Sequence, residues 1–160
     1  MPFPPPPGES LRTRIVRWRL NLFLMVATSG ARVTYLADDY REVRVELALN
    51  WRTRNCVGTI FGGSLYAAVD PFYMLMLIHA LGPEYVVWDK AATIRFHKPG
   101  QKTLYARFLL EEAELEEIRT AAASARSLDR IYTVELVDAE GVVHASVEKT
   151  VYIRKKITGT

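Results

Sequence analysis

At 160 residues, with 49% hydrophobic and 24% charged side chains, the chain has the make-up of one globular domain with a real core, and neither a disordered nor a fibrous chain is indicated. Its net charge of +3 is compatible with an anionic small ligand but too weak to argue for nucleic acid. The one cysteine, Cys56, excludes an internal disulfide framework, fits a reducing compartment and reads as a small packed side chain.

Residues 1–10 read as a disordered Pro-rich tail, 11–156 as a single domain and 157–160 as a second short tail. Ser10 is a candidate N-cap for a segment Leu11–Ala27, basic in its first half and apolar in its second. An amphipathic helix lying on the domain, a signal peptide and a peripheral membrane contact are its three readings. The Pro-rich start and Asn21 argue against the signal peptide, and the apolar run is too short to span a bilayer. From Ala31 the period becomes two. Residues 31–36 read as a strand, Asp38-Asp39 as a turn, and Val43, Val45, Leu47 and Leu49 as the inner face of a second strand whose other face is wet.

Asn55 opens a turn rich in Gly that runs into an apolar segment expected to be helical from about Gly62 to Ala80. Asp70 is the only formal charge between Arg54 and His79, and burial there is costly for a carboxylate unless it is paired or protonated. Pro71 leaves two readings: it kinks one long helix, or it starts a helix that Asp70 caps. Gly82-Pro83 ends the segment. Strands follow at 85–97 and 103–110, separated by the turn Lys98-Pro99-Gly100-Gln101. A helix at 111–125 has Leu115, Ile118, Ala122 and Ala125 on one face. Strands at 130–137 and 142–154 form a closing hairpin around Asp138-Ala139-Glu140-Gly141. One long helix followed by mostly antiparallel strands makes an α+β domain, its sheet laid against a central helix. His79, His97 and His144 share no ligand spacing, so no metal site is expected.

The stretch Asn55-x-x-Gly58-Thr59-x-Phe61-Gly62-Gly63, with Asp70 seven residues on, resembles the signature of the hotdog-fold acyl-CoA thioesterases of the phenylacetate-pathway type. The strand end Arg95-Phe96-His97-Lys98-Pro99-Gly100 and the order of elements from Leu20 to Arg154 resemble that family too. The resemblance implies an antiparallel sheet wrapped around a long helix, with an extra N-terminal helix. It implies hydrolysis of an acyl thioester by Asp70 as general base or nucleophile, typically reaching the partner subunit's site. Gly62 N–H would be the oxyanion donor, and Asn55 would bond the water or hold the turn. Gly63 would leave room for the acyl group, Phe61, Tyr66 and Tyr73 would meet it, and Lys98, with Lys102 nearby, would meet coenzyme A phosphates. Asn55 has the alternative reading of an Asx-turn, and Tyr66 and Tyr73, at helical spacing, are more often core than acyl pocket. The family has His where this chain has Phe61, so a second reading is a non-catalytic acyl- or lipid-binding hotdog protein. Expected besides are a homodimer or dimer of dimers, no cofactor except coenzyme A carried by the substrate, no stable membrane insertion, and a cytoplasmic location.

Overall fold

The computed structural model describes residues 2–156. Strands β1 (Ala31–Leu36), β2 (Glu42–Leu47), β3 (Tyr85–Phe96), β4 (Leu104–Leu109), β5 (Leu128–Val137) and β6 (Val143–Lys155) form one antiparallel sheet in the order β1-β2-β4-β5-β6-β3. The helices are α1 (Leu11–Leu22), α2 (Leu24–Ser29), α3 (Gly62–Ala67), α4 (Phe72–Leu81) and α5 (Glu112–Ser124). The α+β layout is as expected. Phe72, Met76 and Leu77 of α4 are buried in one cluster with Leu104, Phe108, Leu136 and Ile153 of the sheet. By length and composition Gly62–Leu81 is apolar enough to cross a membrane (20 residues, mean hydropathy 1.3), yet half of that window is buried inside this fold, as in a core helix.

That segment is not one continuous helix. Pro71 has no N–H to give, and its ring crowds the carbonyl four residues earlier. Val69 and Asp70 both donate to the Tyr66 carbonyl at 3.0 Å, and α4 restarts with Pro71 in the N-cap place. Both readings of Asp-Pro are corrected by this. Pro71 breaks the helix, and the Asp70 side chain turns to the sheet instead of capping α4.

The N-terminal segment also differs from the expected single helix Leu11–Ala27. Ser10 caps α1 by accepting from Thr13 N at 3.2 Å, but the chain turns extended at Phe23 and α2 follows. The turn returns the chain into β1, beside which α1 is pinned. Asn21 Nδ2 donates to Val33 O at 2.9 Å, and Val33 N donates to Asn21 Oδ1 at 2.7 Å. A single amide thereby satisfies both backbone groups of an edge residue, and α1 covers an edge that would otherwise invite strand pairing. The opposite edge, β3, pairs with β6 alone.

Three smaller expectations are corrected. The outer face of β2 is not wet at Arg44, which is buried, pairs with Glu42 at 2.7 Å and donates to the Pro4 carbonyl. Leu49 lies beyond the end of β2, and Ala125 is an exposed residue after α5, whose inner face is Leu115, Ile118 and Ala122. The β5–β6 hairpin turns at Gly141, whose φ of +83° favours glycine. The 157–160 tail lies outside the described residues.

Asn21→Ala leaves both Val33 groups without their partner and is expected to cost about 1–3 kcal/mol in denaturant unfolding, whereas Leu22→Ala, on the exposed face of α1, stays within about 0.5 kcal/mol.

Candidate functional site

Asn55 builds the Gly-rich turn. Its Oδ1 accepts from Val57 N (3.1 Å) and Thr59 N (3.0 Å), and its Nδ2 donates to Thr59 Oγ1 at 2.9 Å. This is the Asx-turn alternative; Gly58 completes it at φ +84°. Ile60 N then donates to Gly100 O at 2.8 Å, fastening the turn to the loop after β3. Between them opens a cavity of about 370 Å³ lined by Asn55, Thr59, Gly62, Phe96, His97 and Lys98, among others. The glycine pair serves ring packing. A Cβ on Gly62 would come within 3.1 Å of Phe96 Cζ, and one on Gly63 within 2.3 Å of Phe61 Cε1. The Phe61 ring, itself exposed, therefore covers Gly63, which corrects the expectation that Gly63 stands open to a ligand. Cys56 is exposed in this turn, not packed.

Asp70 sits elsewhere, at the break between α3 and α4. Its side chain is 43% exposed, so the expectation of a buried carboxylate is corrected; the buried charge is its partner, Lys149, with no exposure at all. Lys149 Nζ donates to Asp70 Oδ1 at 2.9 Å, to Asp89 Oδ2 at 2.7 Å and to the Asp70 main-chain carbonyl. The helix break makes the last bond available, because the Asp70 carbonyl stands outside both helices. The ammonium also lies 5.9 Å from the centre of the Tyr66 ring. Burial, and then the neighbouring Asp70 carboxylate, raise the Tyr66 hydroxyl pKa, so Tyr66 is a neutral donor at physiological pH. Asp89 is pushed above the usual carboxylate range, first by burial, with Lys149 opposing and Asp70 reinforcing. Its buried Oδ1 has no hydrogen-bond partner among the described residues.

Asp70 and Tyr66 line a second cavity of about 460 Å³, whose other walls are apolar: Leu20, Phe23 and Val26 from the N-terminal helices, and Phe72, Met74 and Leu75 from α4. Tyr73 is not there. It is buried in the core, stacked on Tyr132 at 4.3 Å and edge-on to Phe108 at 5.2 Å. Within one chain, then, Asn55, Gly62 and Lys98 share one cavity and Asp70 and Tyr66 another.

Lys149, Asp89 and His97 are the site residues that sequence reasoning missed. Lys149 did carry a signal. It occupies an inner position of β6, in the alternation Ala145, Val147, Lys149, Val151, Ile153, where a charge is anomalous. Asp89 did not, because a register shift between Asp89 and Ala91 breaks the alternation of β3. His97, exposed at the end of β3, bonds Ser146 Oγ at 2.8 Å and puts an imidazole in the Gly62 cavity although the motif position holds Phe61.

The pattern of the domain of unknown function DUF4442 matches residues 13–153. The chain belongs to this family. No curated protein matches it. Among solved structures, it is similar to a protein of unknown function from Pseudomonas aeruginosa described as a probable thioesterase, at 19% identity and TM-score 0.78, over 93% of this chain and 99% of that one. It is similar also to a putative thioesterase from Shewanella oneidensis, at 16% identity and TM-score 0.65, over 88% and 96%. A protein of unknown function from Chlorobaculum tepidum matches at 13% identity and TM-score 0.70, over 91% and 95%. At such identities the likeness shows the fold, which for this DUF4442 member is the hotdog.

Lys149→Met strands two carboxylates, both partly exposed to water, and is expected to cost about 1–3 kcal/mol in denaturant unfolding. The pH dependence has a definite sign. Folded Asp89 binds its proton more tightly than the unfolded chain does, so its contribution favours the fold at low pH and is lost as pH rises through the raised value. Without the opposing ammonium, the variant should lose stability more steeply than wild type as pH rises above the ordinary aspartate value, as measured by urea midpoints along that rise.

Proposed function

We propose that this DUF4442 protein is an acyl-thioester hydrolase whose base is Asp70, acting on a coenzyme A thioester with no cofactor of its own. The observation that carries this reading is the Asp70 carboxylate itself, half-exposed on the wall of an apolar cavity and fixed in orientation by a fully buried lysine. Asp70 would take a proton from water, hydroxide oxygen would bond to the acyl carbon, and the C–S bond would break with the thiolate leaving. Tyr66 stands beside it as a neutral donor.

The oxyanion donor belongs to another copy of the chain. Gly62 opens α3 and lines one cavity, Asp70 lies at the break after α3 and lines another, and one carbonyl requires both within hydrogen-bond reach. A homodimer, or a dimer of dimers, would set the Gly62 N–H of one copy opposite Asp70 of the other. Lys98, and His97 in place of the missing motif His, would then receive the coenzyme A end. The open edge of β3 and exposed Leu75 and Ile78 on α4 are the surfaces available for that pairing. Kinship with the phenylacetate-pathway type rests on the motif spacing, and a cytoplasmic location follows the substrate.

The second reading, an acyl-binding protein without turnover, is favoured by one feature: Phe61 replaces the motif His and its ring lies over Gly63.

Asp70→Asn should lower kcat on a panel of acyl-CoA thioesters by on the order of 10²–10⁴. Full turnover in this variant would remove Asp70 as the base, and wild-type protein that binds acyl-CoA without hydrolysing any chain length would establish the second reading. Sedimentation at micromolar concentration should give a dimer or larger; a monomer that hydrolyses normally would overturn the shared site.

A further inference from the structure

The outward face of α1 is apolar where a surface helix is normally polar. Leu11, Ile15, Trp18 and Leu22, spaced i, i+4, i+7, i+11, form a stripe along it, and Trp18 is 63% exposed. The inward face, Thr13, Val16 and Leu20 with the Asn21 clasp on Val33, is already occupied by the fold, so the stripe is not a core face waiting to close. At the end of α1 the break adds Phe23, Leu24 and Met25, with Leu24 69% exposed.

The flanks of this stripe are basic. Arg14 borders it on one side and Arg12 and Arg19 on the other. Arg17, turned inward, pairs with Glu9 at 2.8 Å, whereas Arg12, Arg14 and Arg19 make no ion pair among the described residues. Between residues 10 and 37 the chain has Arg12, Arg14, Arg17, Arg19 and Arg32 and no Asp or Glu.

We infer that α1 and the Phe23–Met25 corner dock this protein on an anionic lipid surface. The apolar stripe would enter the acyl boundary, and the arginines on both flanks would reach the phosphates. A second copy is a poorer occupant, because a two-fold contact through this face would set three arginines against three arginines, with Asp38 at the start of α1 the one carboxylate shown to act on any of them, at Arg12. The open sheet edge at β3 also lies at the far end of the sheet from β1 and α1, so strand pairing between copies leaves this face uncovered. Phe23 and Met25 line the Asp70 cavity as well as the exposed corner, so docking brings the wall of that cavity to the lipid boundary. The docking is independent of the chemistry proposed for Asp70.

The test is co-sedimentation of the full chain with vesicles of phosphatidylcholine alone or mixed with phosphatidylglycerol, at low and high salt. Strong binding to the anionic vesicles, weakened by salt, is expected. In Trp51→Phe/Trp88→Phe protein, the remaining Trp18 emission should shift to the blue on binding. Arg12→Gln/Arg14→Gln/Arg19→Gln should weaken binding on the order of 100-fold, since each basic residue contributes a factor of about five. Trp18→Glu/Leu22→Glu should abolish binding while the sedimentation mass in the absence of lipid stays unchanged. No partition onto anionic vesicles at low salt would overturn the inference, as would equal binding to both vesicle types. So would a loss of oligomer in Trp18→Glu/Leu22→Glu, which would make the face an interface between copies. Hydrolysis of a soluble thioester without vesicles is read separately, so failure of the docking and failure of the hydrolase reading are distinguishable.

Discussion

Removing an ammonium from water costs several kcal/mol, and the fold recovers that cost at Lys149 only by bringing three oxygens to it from two elements. Two belong to Asp70 at the break between α3 and α4, the third to Asp89 on β3, and Lys149 itself lies on β6. The cluster therefore fixes where the broken helix crosses the sheet. It depends in turn on Pro71, because a continuous helix would keep the Asp70 carbonyl for itself. The aromatic contacts of Phe72 and Tyr73 with Phe108 begin immediately after the break, so packing of α4 and pairing of Lys149 are settled together.

The two edges of the sheet have opposite fates. At β1 a helix lies over the edge, and one asparagine amide satisfies the backbone that a further strand would otherwise take. At β3 nothing among the described residues does so, and the strand is the long, exposed partner of β6. A sheet covered at one end and open at the other has one edge free for pairing. That asymmetry leaves α1, with its arginine-flanked apolar stripe, facing outward on the covered side, at the far end of the sheet from the open edge.

Phe61 changes the character of the turn that resembles the thioesterase signature. In place of an imidazole it supplies a ring that lies on Gly63, while Phe96 lies on Gly62. The glycines are thus explained by aromatic packing alone, with no substrate needed. Polar character returns to the same cavity from the loop after β3, through His97 and Lys98. The helix start is drier than the signature implies, and the polar groups beside it come from a different part of the chain.

Much was legible in local pattern, because periodicity and turn chemistry act over a few residues. The α+β class, the strands, the closing hairpin at Gly141 and Asp70 as the one charge in an apolar run all follow from it. Lys149, missed in the sequence, sits among alternating apolar residues of β6, a local signal that names no partner. That partner is fixed by contacts 60 and 79 residues apart in the chain, made possible by a broken helix and a register shift that no local rule specifies. The same holds for Tyr73. Its helical spacing favours core without excluding a pocket, and the position of Tyr132 and Phe108 across the sheet decides for core. The sequence by itself determined which segments bury and which charged positions sit among apolar neighbours. Tertiary structure decided which atoms answer those charges, because a buried charge is neutralised by what is near in space and not by what is near in sequence.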